Sequence, residues 1–115
     1  MHISNTPPYG WQAVTRINLD FPRSLEIKTY KTSNGILQSN ATVYTETSNG
    51  MISHTMNYGF GHGDFASTII RNPVSRNSEK LVRTQHEQAL AMLYQIKIDI
   101  AKHYEEAARL ASSEA

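Results

Sequence analysis

Two Asn-Gly dipeptides, Asn34-Gly35 and Asn49-Gly50, each lie between runs in which apolar and polar residues alternate. Asn-Gly tolerates the positive φ of a tight hairpin turn, and a period of two marks a strand with one buried face. The two dipeptides therefore predict antiparallel strands over residues 36–47 and 51–60. Leu37, Ala41 and Val43 face inward on the first, and Ile52, Met56, Tyr58 and Phe60 on the second, with His54 on that same apolar face.

Upstream, Trp11, Ala13, Thr15, Ile17, Leu19 and Phe21 alternate with polar residues such as Gln12, Arg16, Asn18 and Asp20. Pro22 interrupts the run by removing a backbone donor, and Leu25, Ile27 and Thr29 resume the inward series. A short apolar run at residues 67–70 adds a fifth strand. The opposite faces carry Glu26, Lys28, Gln38, Asn40, Thr42, Tyr44 and Glu46, which leaves one face of the sheet for water or a partner.

After Asn72-Pro73 the period changes. Ser78 suits an N-cap, because its hydroxyl can accept from the free amides of a first turn, and Glu79 stands well in the dipole field. Val82, Ala89, Leu93, Ile96, Ile100, Ala107 and Leu110 then form a stripe at three-and-four spacing that can cover the sheet. Ala91, Tyr94, Ile98 and Ala101 form a second apolar set on nearly the opposite side. One continuous helix of about 30 residues is roughly 45 Å long, whereas a nine-residue strand reaches about 30 Å. Such a helix overhangs the sheet or breaks; overhang and two apolar faces together favour a homo-oligomer formed through the C-terminal helix over a kinked helix folded back inside one monomer.

The expected architecture is thus α+β: an antiparallel β-meander of four to five strands followed by one long C-terminal helix. It occupies residues 11–110 as a single domain, with a flexible N-terminus at 1–10 and a flexible tail at 111–115. The length of 115 residues suits one core and is too short for two. Cysteine is absent, which excludes disulfides, thiolate nucleophiles and thiolate metal sites, and fits a cytoplasmic setting. The first eleven residues hold Pro7 and Pro8 and no apolar run, unlike a signal peptide, and no stretch approaches a membrane span.

Eleven Lys and Arg against ten Asp and Glu give a net charge of +1, so bulk electrostatics argues against nucleic acid as a partner. The local distribution is less even, since Arg71, Arg76, Lys80 and Arg83 cluster around the predicted helix start. Unpaired amides there already favour an anion, and arginine forks match phosphate geometry. Asn72, Asn77 and Ser78 add neutral donors. The bland reading is that Lys80 and Arg83 solvate an exposed first turn.

Just upstream, Tyr58-Gly59-Phe60-Gly61-His62-Gly63-Asp64-Phe65 alternates glycine with aromatic or ionisable residues. It fits neither a dinucleotide fingerprint nor a phosphate loop. Its glycines clear one side for a flat ligand while Phe60, His62 and Asp64 project together; the bland reading is a bulged strand end. His62 and Asp64 are the one close pair of potential metal ligands, and no second pair accompanies them, so neither a metal nor another cofactor is implied. No nucleophile stands beside a base, and no paired carboxylates appear, which argues against an enzyme.

Two readings follow. In the first, a non-enzymatic protein captures a small anionic, nucleotide-like ligand, with Phe60 and Phe65 stacking a base, His62 and Asp64 alongside, and Arg71, Arg76, Lys80 and Arg83 neutralising phosphate. In the second, the open sheet face with Tyr30 and Tyr44 docks on another protein. In architecture and composition over its whole length, a cysteine-free meander plus one helix, the chain resembles small phage or mobile-element anti-defence proteins. These include Thoeris anti-defence sponges, which sequester nucleotide signals, and anti-CRISPR inhibitors, which occlude effectors. The resemblance implies a bacterial defence protein or its signal molecule as partner, and carries no individual residue over.

Overall fold

A computed structural model describes residues 1–46, 52–54 and 65–113. Six strands form one antiparallel sheet: β1 (His2–Thr6), β2 (Gly10–Asn18), β3 (Arg23–Lys31), β4 (Ile36–Glu46), β5 (Ile52–His54) and β6 (Ala66–Pro73). They run in the order β1-β2-β3-β4, and the far edge of β4 is shared. Tyr44 to Glu46 pair with β5, and Ile36 to Thr42 pair with β6. Two helical segments follow, α1 (Glu79–Ala91) and α2 (Leu93–Ser113). The α+β architecture with a long C-terminal helix is as the sequence predicts.

The alternation sets the layers. Ala13, Leu25, Ile27, Thr29, Leu37, Ser39, Ala41 and Val43 are all buried on the face that α1 covers with Val82, Gln85, His86 and Ala89. The hairpin after β3 closes with Thr32 N–H donating to the Ile36 carbonyl and Gly35 N–H to the Thr32 carbonyl, and Gly35 takes φ +81°. That is a three-residue loop ending in a left-handed glycine. Asn49-Gly50 lies outside the described residues.

Four expectations need correction. Residues His2–Thr6, read as part of a flexible N-terminus, form β1 along β2, because Ile3 can pack against the cluster of Ala13, Leu37 and Val82. Phe21, read as inward, is 83% exposed, since the turn at Asp20 to Arg23 ends the alternation at Asn18. Register pairs Ile52 with Glu46 and His54 with Tyr44, so these positions share the row of Tyr44 on the uncovered face. The helix, lastly, is two segments: at Met92 the N–H bonds back to the Ala89 carbonyl, a tighter i to i−3 step. The surrounding Ala89-Leu90-Ala91-Met92-Leu93 holds no glycine or proline, so packing imposes the break. Ala89 before it and Ile96 and Ile100 after it all join the cluster of Leu25, Ile27, Ala41 and Val43.

Candidate functional site

The structure distributes the sequence-predicted site rather than assembling it. Phe60, His62 and Asp64 lie outside the described residues. Phe65 is half-buried core: its carbonyl accepts from Val43 N–H at 2.9 Å, and its ring meets His103 edge-on at 5.9 Å. From there the eight residues of β6 run about 26 Å to the other end of the sheet, where the basic residues begin. The cluster is itself divided, because successive strand residues point to opposite faces. Arg71 pairs in register with Gln38 on the uncovered face. Asn72 points inward instead, where its Nδ2 donates to Gln85 Oε1.

Lys80 and Arg83 sit on α1, across the sheet from Arg71, and Arg76 is exposed in the loop between. Arg83 pairs with Glu79 at 3.1 Å, both side chains 49% exposed, which is the solvated first turn of the bland reading. The neutral donors are committed elsewhere too. Ser78 caps α1 by accepting from Leu81 N–H. Asn77 clamps β2, accepting from Trp11 N–H and donating to the Trp11 carbonyl.

What the fold does build is two contrasting faces of one sheet. Under α1 lies a polar layer that the sequence reading missed, although Gln85 and His86 interrupt the apolar stripe three and four residues after Val82. Gln85 Nε2 donates to the Leu37 carbonyl at 2.9 Å and to Ser39 Oγ at 3.1 Å. Ser39 Oγ and Thr29 Oγ1 are 2.7 Å apart, Thr29 Oγ1 and His86 Nδ1 2.8 Å, and His86 Nε2 and Thr15 Oγ1 2.8 Å. A carbonyl can only accept, so Leu37 fixes the Gln85 amide. Ser39 then accepts from Gln85, and the arrangement in which every buried hydroxyl proton also finds an acceptor has Ser39 donating to Thr29. Thr29 in turn donates to Nδ1, which leaves His86 as the neutral Nε2–H tautomer donating to Thr15.

Burial, reinforced by the N-terminal ammonium charge, lowers the His86 pKa to about 4, in keeping with a neutral ring. Among the described residues no buried side-chain polar atom lacks a partner. His86, Thr29 and Ser39 are fully buried in this layer, and Thr15 at its end is half-buried.

The other face carries no helix among the described elements. Asn40 Nδ2 donates to the Tyr30 hydroxyl at 3.0 Å, Gln38 Nε2 donates to Asn40 Oδ1 at 3.0 Å, and Lys28 Nζ stands 5.3 Å from the Tyr30 ring centroid. Arg16 pairs with Glu26 at 3.0 Å and lies 5.8 Å from the centroid of Tyr44, whose hydroxyl donates weakly to Glu26 at 3.4 Å. At the described strand positions of this face, Arg16, Lys28 and Arg71 stand against Glu26 and Glu46, a surplus of one positive charge.

Fold and site together define a two-layer α+β protein with one helix-covered and one open sheet face. No protein-family model, curated protein or solved structure matches the chain.

Proposed function

We propose that this protein is a non-enzymatic binding protein that docks its open sheet face on an acidic patch of another protein. The observation that carries this reading is the pre-arranged outer face, where Tyr30 is held by Asn40 and Lys28 while Arg71 stands in the same cross-strand row, with Gln38 between them. Tyrosines fixed in this way lose little entropy on binding. Strands of these lengths offer roughly 650 Å², near the about 800 Å² per partner of a stable interface. The resemblance to anti-CRISPR inhibitors makes bacterial defence effectors the partners to test first.

The test is surface-immobilised binding against a panel of purified defence effectors. A partner is expected whose affinity falls at least thirtyfold with Tyr30→Ala and further with Lys28→Glu and Arg71→Glu, consistent with hot-spot losses of about 2 kcal/mol. Equal binding by the triple variant, or no binding to any member, counts against the reading.

The overhanging α2 favours a second proposition, pairing of two copies through Tyr94, 80% exposed, and its neighbours Ala91 and Ala101. From Glu105 to Ser112 every residue but Ala107 is exposed, so α2 has helix to spare beyond its last core contact at Tyr104. Light scattering at tens of micromolar decides it, and a strict monomer overturns it.

A further inference from the structure

A cleft of about 450 Å³ opens between the β2–β3 turn and α2, on the helix side of the sheet and away from the proposed docking face. Its volume falls within the roughly 300–1,000 Å³ of small-molecule sites. The turn is closed by Arg23 N–H donating to the Asp20 carbonyl at 3.0 Å and Leu19 N–H donating to the Arg23 carbonyl at 3.1 Å. It thereby holds Asp20 and Arg23 at its two corners, facing the helix. From α2, Lys97, Ile100 and Tyr104 reach the same cleft at a three-and-four spacing, and Leu19 and Ile100 supply apolar lining.

Two details give the cleft a chemistry. The Arg23 guanidinium carbon lies 3.7 Å from the Tyr104 ring centroid, and His103 meets that ring edge-on at 5.2 Å. Stacking uses the face of the guanidinium and leaves its in-plane N–H fork free, the edge that engages two oxygens of an anion. Among the described residues, moreover, Arg23, Lys97 and Asp20 have no ion-pair partner. Two unneutralised cations on opposite walls suit an anion of charge near minus two with several oxygens. Asp20 beside them repels a bare anion, but accepts from hydroxyl groups.

We propose that this cleft binds a phosphorylated sugar or nucleotide, with the phosphate held between Arg23 and Lys97 and the sugar hydroxyls donating to Asp20. The hydroxyl-bearing phosphate ester is common to both sources. An attached base has the Leu19 and Ile100 lining available to it.

Calorimetric titration of the full chain with inorganic phosphate, ribose 5-phosphate and adenosine monophosphate tests this. The two esters are expected to bind at least tenfold more tightly than inorganic phosphate. Equal affinity for the two esters identifies a sugar-phosphate site, and tighter binding of the nucleotide a site that also takes the base. Lys97→Gln and Arg23→Lys, the latter keeping charge while removing the fork, should each weaken ester binding about tenfold without moving the melting temperature. Asp20→Ala, which removes the acceptor as well as the charge, should erase the preference for esters over inorganic phosphate. Absence of ester binding at millimolar concentration, or ester binding unchanged in both cation variants, overturns the proposal. Loss through Arg71→Gln in place of Arg23→Lys overturns it as well, by putting the anion in the other basic cluster.

Discussion

The two faces of the sheet use polar residues in opposite ways. Beneath α1, the layer from Gln85 through Ser39 and Thr29 to His86 is buried between two apolar clusters, so each hydrogen bond within it must be made internally, and only its end at Thr15 is half-buried. On the outer face, Gln38, Asn40 and Tyr30 make similar bonds within reach of water. The chemistry is the same on both sides, but the cost of losing a partner is not. A buried group left unpaired costs about 1–3 kcal/mol, whereas an exposed one is resolvated. Buried polar bonds therefore fix this fold, and exposed ones only shape a surface.

The largest expected effect follows from that difference. His86→Ala removes a fully buried ring and leaves Thr15 and Thr29 short of partners, so denaturant unfolding should show a loss of about 3–5 kcal/mol. Asn40→Ala on the outer face should cost under about 1 kcal/mol. Similar losses for the two would erase the distinction.

Acid should act on the inner face through the same histidine. Its pKa in the folded protein is about 4 against 6.5 unfolded, so the unfolded chain binds the proton first. The stability tied to the neutral ring is fully present above pH 6.5 and falls as the pH drops toward 4, and the loss reaches about 3 kcal/mol below that. Unfolding curves measured across this window should lose that slope in a His86→Gln variant.

The next effect concerns how the two layers are joined. Gly10 has φ +85°, and a Cβ there would stand 2.7 Å from Asn77 Oδ1, the atom that accepts from Trp11 N–H. Gly10→Ala is strained and disturbs the clamp, and should cost on the order of 1–3 kcal/mol. At Gly35 the nearest atom is 3.7 Å away, so Gly35→Ala meets the positive φ alone and should cost less. A melting comparison of the two variants ranks them.

The smallest expected effect is Lys28→Glu with Arg71→Glu, which should change stability by less than about 0.5 kcal/mol, whatever it does to binding. A large loss would mean that these cations hold the fold together.

Alternation determined β2, β3 and β4, most of their inward residues and the first hairpin, because a period of two reports which side of a strand meets apolar matter regardless of what covers it. The capping serine and the helix stripe as far as Ile100 were equally legible, since both depend on residues within a few positions of one another, whereas Leu110 at its end is exposed. Only the tertiary structure decided the rest. Arg71 and Asn72 are adjacent in sequence yet belong to opposite faces, and the aromatic Phe65 and the arginines are close along the chain yet separated by the length of β6. The break at Met92 has no local cause, and the cleft joins Arg23 to Tyr104 across eighty-one positions of sequence. Local spacing fixes direction and period, but which distant side chains meet depends on how whole elements pack, and that information lies in no short stretch of the chain.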